Sequence, residues 1–353
     1  MMLKHVDNLF GGFSEIKEIL GYDVVSIAND KDSDYAQIRK DVGILPMTFT
    51  SYYKVVGDDV EETLDYLLTK SIQYLNYGQN RMCYFLNNAG EVVALVTVYK
   101  NDENFIIEAF SWNGKAVEEI LTDNNVPFEK LSFSCILLEG VRAIEFIADE
   151  LDVIVDYFVY QSHYELDCFD KNIIVARTGY TGEYGYKLIG EIDAIEHIWE
   201  HILPNHKSKL VGYSAFEMCQ YEIKQPFWEL PYLALSRNIF EIDYHWFVDF
   251  KKDIDYVGRD ALYNDKFEAA TKKLVGALSE QEIAVSSDVV LEGMTVGQAV
   301  DSRLSPGLGK YITMLLVDIE YAHANIPMQT ADGVELTTAS APYIFPSSWS
   351  VRK

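Results

Sequence analysis

Between residues 58 and 70, apolar side chains recur at Val60, Leu64, Leu67 and Leu68, a spacing that gathers them on one helical face. Residues 83–99 behave differently. Apolar runs flank the turn Asn87-Asn88-Ala89-Gly90, which predicts a β-hairpin. A strand is expected over 105–110 and a short helix over 114–124. The run Ile173-Ile174-Val175-Ala176-Arg177, the turn Thr178-Gly179-Tyr180-Thr181-Gly182-Glu183 and the run Tyr184-Gly185-Tyr186-Lys187-Leu188 read as strand, glycine-rich turn, strand. An amphipathic helix follows over 191–203. From about residue 273 the chain turns to short strands, at 273–278, 289–300, 311–317 and 335–339. Helices and strands interleave without a regular βαβ rhythm, so the expected class is α+β. The late shift predicts a C-terminal β-domain over 266–353, after a linker following Ala261-Leu262, with residues 1–265 as the other region.

Composition narrows the partners. The 353 residues are 49% hydrophobic and 24% charged, as in a globular protein that buries several cores. A net charge of −26 repels both a phosphodiester backbone and an anionic membrane surface. Nucleic acid and membrane are therefore excluded as partners, and a small molecule is left. The four cysteines, Cys83, Cys135, Cys168 and Cys219, form no C-x-x-C pair and read as reduced, buried thiols. The N-terminus has no apolar signal core and no window holds about 18 uncharged apolar residues, so a cytoplasmic location is expected.

Four segments carry a specific resemblance. Arg39-Lys40-Asp41-Val42-Gly43-Ile44 resembles "R-x-D-x-G-h-F-D-V-S", with Pro46-Met47-Thr48 replacing its end. Ala176 to Tyr186 matches "R-T-G-Y-T-G-E-x-G-[YF]", Asp255-Tyr256-Val257-Gly258-Arg259-Asp260-Ala261-Leu262 resembles "D-F-I-G-R-E-A-L", and Val296-Gly297 through Leu304-Ser305-Pro306-Gly307-Leu308-Gly309 is similar to "G-x-[VI]-T-S-G-x-x-S-P-x-L". In order and spacing these resemble the glycine-cleavage T-protein (aminomethyltransferase) family over nearly the whole chain. The resemblance implies a three-lobed cloverleaf: two α+β lobes and a C-terminal β-barrel, with tetrahydrofolate, or its 5,10-methylene or 5-methyl form, in a central channel. It also implies a small-molecule substrate and a possible carrier-protein partner.

On that alignment Glu183 is the first cofactor candidate, since a carboxylate accepts two adjacent N–H donors from the pterin edge. Gly179 and Gly182 supply the positive φ such a turn uses. Tyr180 stacks or hydrogen-bonds beside the pterin, and Arg177 binds there or serves as a structural ion pair. Gln220 replaces an arginine that faces the folate in the family, and Phe216 replaces a second. The family's catalytic Asp-Asp doublet aligns with Ala94-Leu95, its first member falling on Ala94. A methyl group shuttles no proton. Authentic glycine cleavage is therefore not expected, and the leading expectation is another folate-dependent one-carbon transfer. The alternative is a folate-binding or regulatory protein of the same fold without turnover. Asp301, His245 and Tyr99 are the remaining catalytic candidates. His245 suits proton transfer near neutral pH, and Asp301 is a partial stand-in for the lost acid or one half of an exposed pair with Arg303. Arg303, Trp228, Glu229 and Tyr232 are the substrate-binding candidates. His197-Ile198-Trp199-Glu200-His201 fits a zinc-protease pattern but has no third ligand, so no metal is expected. Asp30-Lys31-Asp32-Ser33-Asp34 lacks the glycine and glutamate of a calcium loop and reads as a solvated linker.

Overall fold

The computed structural model describes residues 15–151, 153–154, 158–225 and 238–351. After the hairpin β1 (Glu15–Ile19) and β2 (Tyr22–Ile27) come α1 (Lys31–Lys40), β3 (Gly43–Pro46) and β4 (Thr50–Val55). The next run is α2 (Val60–Leu67), β5 (Gln79–Leu86), β6 (Val92–Lys100), β7 (Phe105–Phe110), α3 (Gly114–Asp123) and β8 (Phe128–Leu131). A second run follows: β9 (Phe133–Glu139), α4 (Ala143–Leu151), β10 (His163–Cys168), β11 (Lys171–Ala176), β12 (Gly185–Glu191), α5 (Ile192–His206) and α6 (Tyr213–Ile223).

Two five-stranded antiparallel sheets result, ordered β5-β6-β7-β4-β8 and β10-β11-β12-β9-β3. Each hides one face under its own helices. Val60, Leu64, Val117 and Leu121 of α2 and α3 cover the first, and Phe146, Ile147, Ile198 and Trp199 of α4 and α5 cover the second. The other two faces share a central core with Tyr35 and Ile38 of α1 and Phe216 and Cys219 of α6. Strand alternation decides which side chains reach that centre. Along β6, Ala94, Val96 and Val98 pack toward the helices, whereas Leu95 and Tyr99 join the central core.

The remaining strands, β13 (Lys272–Ser279), β14 (Asp288–Leu291), β15 (Met294–Ser305), β16 (Lys310–Asp318), β17 (Pro327–Thr330) and β18 (Glu335–Ala339), close into a six-stranded barrel. The α+β cloverleaf with its C-terminal barrel is thus the architecture observed. The apolar stretch 289–300 is a hairpin rather than one strand, because Glu292 (φ 50°) and Gly293 (φ 83°) both take left-handed conformations that suit a tight turn. The linker expected after Leu262 is instead a packed π-helical turn, Ala261–Phe267, with Leu262 fully buried. Asp30-Lys31-Asp32-Ser33-Asp34 is no solvated linker either. Asp30 caps α1 by accepting the Ser33 N–H (2.9 Å), and buried Asp34 accepts the N–H groups of Ala28, Asn29 and Gly212. All four cysteines are buried free thiols.

Candidate functional site

Where the lobes meet, α1 brings one cation to two acids. The Arg39 guanidinium donates to Glu222 Oε2 (2.9 and 3.2 Å), to Glu183 Oε1 (3.1 Å), and to the carbonyls of Thr181 and Cys219 (both 2.9 Å). Glu222 also accepts Tyr35 Oη (2.9 Å) and, from the barrel, Ser305 Oγ (2.5 Å). Four separate segments converge on this hub.

Glu183 does not face an open cleft. Its carboxylate is fully buried and accepts the backbone N–H groups of Ser347 (2.9 Å) and Ser348 (2.8 Å), at the start of the 3-10 turn Ser347–Ser350. The Trp349 indole N–H adds a bond to the Gly182 carbonyl (3.0 Å). The paired-donor geometry expected of a pterin edge is met by the chain's own C-terminal segment. Gly182 has positive φ (81°), as expected, but Gly179 does not. A Cβ on Gly179 would lie 2.6 Å from Glu139 Oε1, so close approach is what requires glycine there.

That neighbour, Glu139 on β9, is fully buried and anchors the glycine-rich turn by accepting Tyr180 N–H (2.6 Å), Thr181 N–H (3.2 Å) and the Thr181 hydroxyl. Burial pushes its pKa up to about 7, against the opposing pull of the Thr181 and Tyr180 donors. An acid whose folded pKa exceeds its ordinary 4.5 binds protons on folding, so stability drops as pH rises from about 4.5 through about 7. The difference corresponds to roughly 3 kcal/mol. Urea unfolding at pH 5 and pH 8 is expected to show wild type losing about that much more than Glu139→Gln; parallel profiles would refute it.

The centre holds a second buried pair. Lys187 of β12 donates to both oxygens of Glu108 on β7 (2.7 and 2.8 Å) and to Tyr180 Oη (2.8 Å), while Tyr99 Oη donates to Glu108 (2.5 Å). Burial works against the Lys187 ammonium, but the Glu108 carboxylate and its neighbours outweigh it and hold the pKa above the ordinary lysine value. The gap bounded by Met82, Leu95, Thr97, Glu108, Phe110 and Tyr180 measures about 10 Å³, room for one water. Since Ala94 lies under the helices, the member of the doublet facing this centre is Leu95, not Ala94. Neither is acidic. Sequence reasoning missed Glu108 and Lys187 because each looks like a stray charge in a strand. The alternation of β7 and β12 was the signal, putting both on the inward face.

The other candidates separate. Tyr99 and Tyr180 meet at the central pair. Arg177 donates to the Phe158 carbonyl and lies over the Tyr184 ring (5.9 Å), a structural role. Gln220 is buried on α6, and neither Oε1 nor Nε2 has a partner among the described residues. Asp301 and Arg303 are not an exposed loop pair. They sit on β15, where Arg303 binds Asp301 (2.8 Å) and Glu217 of α6 (3.1 Å) and covers the Tyr221 ring (4.8 Å), joining barrel to helix. His245 lines a separate cleft of about 410 Å³ at the end of α6. Trp228, Glu229 and Tyr232 lie outside the described residues. His201 Nδ1 lies 2.8 Å from the carbonyl oxygen of His197, and no group of three metal-ligating side chains occurs among the described residues. No helix among them is long and apolar enough to cross a membrane.

Two α+β lobes built on antiparallel sheets and a closed C-terminal barrel give this chain the fold of the aminomethyltransferase class. The chain superposes with a TM-score of 0.85 on glycine cleavage system aminomethyltransferase T from Bartonella henselae, at 17% identity and over 98% of each chain. The family model described as the GCVT N-terminal domain matches residues 20–252. Aminomethyltransferases from Clostridium botulinum (strain Okra / Type B1) and Pseudothermotoga lettingae are each 26% identical, covering 91% and 82% of this chain and 89% and 82% of their own lengths. The chain belongs to the glycine cleavage T-protein (aminomethyltransferase) family, a family of transferase enzymes.

Proposed function

We propose that this chain is a tetrahydrofolate-dependent one-carbon transferase acting on a small molecule, and that it does not carry out the aminomethyl transfer of glycine cleavage. The observation that carries the folate reading is Gln220. Its amide is buried with both polar atoms unpaired among the described residues, a condition that costs about 1–3 kcal/mol per group until something bonds to it. It stands where the resemblance puts a folate-facing side chain, and an amide that both donates and accepts matches the mixed donors and acceptors of a reduced folate.

Glu183 fits that role poorly, since Arg39 and the Ser347 and Ser348 amides already occupy it. The gap beside Leu95 is too small for a pterin ring, so the reading rests on Gln220 and not on that wall. Bound tetrahydrofolate supplies the one-carbon donor or acceptor. What the chain contributes is Gln220 as a hydrogen-bonding contact and the apolar Leu95 wall, which excludes the family's acid from the centre. The methylene or methyl level of the carbon, a carrier-protein partner and a cytoplasmic setting belong to this same reading.

The second reading, a protein of the same fold without turnover, is favoured by the Ala94-Leu95 doublet together with the closed Glu108–Lys187 pair. Calorimetry with tetrahydrofolate and its 5,10-methylene form separates the cases. Saturable binding that Gln220→Ala weakens at least tenfold, about 1.4 kcal/mol, is the expected result. Absence of binding by any reduced folate removes the proposal. Binding without transfer to any amine, thiol or hydroxyl acceptor leaves the second reading standing instead.

A further inference from the structure

The two amides on Glu183 belong to a segment that little else holds. After β18 the chain is anchored at Tyr343, whose N–H donates to the Glu222 carbonyl (2.8 Å) and whose hydroxyl reaches Met314 Sδ in the barrel (3.7 Å). Past that anchor runs a strap, residues 344–351. Among the described residues, every hydrogen bond from the strap to the rest of the chain ends on two consecutive positions. Ser347 and Ser348 N–H take one carboxylate oxygen each of Glu183, while the Ser348 hydroxyl (3.4 Å) and the Trp349 indole (3.0 Å) donate to the Gly182 carbonyl. Its two largest side chains, Phe345 and Trp349, stay 84% and 59% exposed, so apolar burial adds little to its hold.

A segment fastened by a few bonds over little buried apolar surface opens at low free energy while the fold behind it stays shut. Opening here strands no charge. Arg39 still donates to Glu183 Oε1 (3.1 Å) from the opposite side, so the carboxylate keeps its cation when the strap lifts. What the strap uncovers is an oxygen pair already oriented for two parallel N–H donors. The slot is also tied to α6. Arg39 bonds the Cys219 carbonyl (2.9 Å), and the next residue is the unpartnered Gln220.

We propose that the strap is an autoinhibitory cap: its Ser347 and Ser348 amides occupy Glu183 as an internal ligand, and an outside ligand with the same donor pair must displace them. The inference rests on the folate reading and adds to it a competitor carried by the chain itself. Ser347→Pro tests it in the full chain. Ser347 is the first residue of the 3-10 turn, where a proline ring is tolerated, and Pro346 before it is already extended (φ −54°, ψ 138°). The substitution therefore deletes one donor and keeps the turn. Because a ligand's apparent affinity scales with the open fraction, calorimetry should show tetrahydrofolate binding this variant about tenfold more tightly than wild type. In the wild type, saturating tetrahydrofolate should speed amide hydrogen exchange over 344–351, while the Tyr180 and Thr181 amides on Glu139 stay protected. That second measurement needs no variant and decides alone if Ser347→Pro unfolds. Equal or weaker binding by a folded Ser347→Pro, or strap exchange that slows or stays unchanged on saturation, would overturn the cap and leave the folate reading standing. No binding of any reduced folate by either chain would remove both.

Discussion

Replacing Arg39 by methionine is expected to lower the stability of the whole chain by roughly 3–5 kcal/mol, the cost typical of stranding buried charges. This one side chain serves Glu183, Glu222 and two carbonyls that no other cation reaches among the described residues. Without it, two carboxylates with fully buried side chains would have to remain charged in a low-dielectric interior or take up protons at neutral pH. Glu222 would keep Tyr35 and Ser305, and Glu183 the Ser347 and Ser348 amides, so the fold would be weakened rather than erased. Arg39→Lys should fall between the two, because a single ammonium cannot reach four acceptors set around a planar fork. Chemical unfolding monitored by circular dichroism measures it. A methionine variant within 1 kcal/mol of wild type would mean the hub is not where the lobes are held.

The second large effect belongs to the centre. Lys187→Met leaves Glu108 buried and uncompensated, again at roughly 3–5 kcal/mol. The pairing implies more than the single loss, however. Glu108→Gln in the Lys187→Met background removes the stranded charge while leaving Tyr99 a carbonyl acceptor, so the double variant should be more stable than the Lys187→Met parent. A double-mutant cycle reads the coupling directly. Additive losses would show that the two side chains do not act as a pair.

Much of this architecture was legible because its signals are local. The 60–67 helix follows from Val60, Leu64 and Leu67, and the β5–β6 hairpin from an Asn/Gly turn between apolar runs. Family membership was readable from eleven residues around Thr178–Glu183. What stayed hidden depends on partners far along the chain. Glu183 reads as an acceptor facing a ligand cleft, but the two backbone donors that bury it, Ser347 and Ser348, lie about 165 residues later, in a segment with no periodicity to mark it. The family's catalytic position aligns with Ala94, but an alignment carries no strand register, and in the fold Ala94 packs under the helices. One step of alternation moves the inward side chain to Leu95. Asp301 and Arg303 looked exposed for the same reason, since Glu217 and Tyr221 on α6 are invisible from the barrel sequence.

The path of the chain between the sheets has a consequence for how the molecule can be taken apart. Strand β3 belongs to the second sheet, pairing with β9, yet β4 through β8 build the first before β9 resumes the second. The entry and exit of that excursion are neighbours: Tyr52 pairs with Leu131, and the Met47 N–H donates to the Cys135 carbonyl at 2.9 Å. Residues 50–131 are therefore a cassette spliced into a host, not the first of two beads on a string. A cut placed near residue 140 would sever the host from its own edge strand, whereas excising the cassette and joining its adjacent flanks keeps the host's strand order intact.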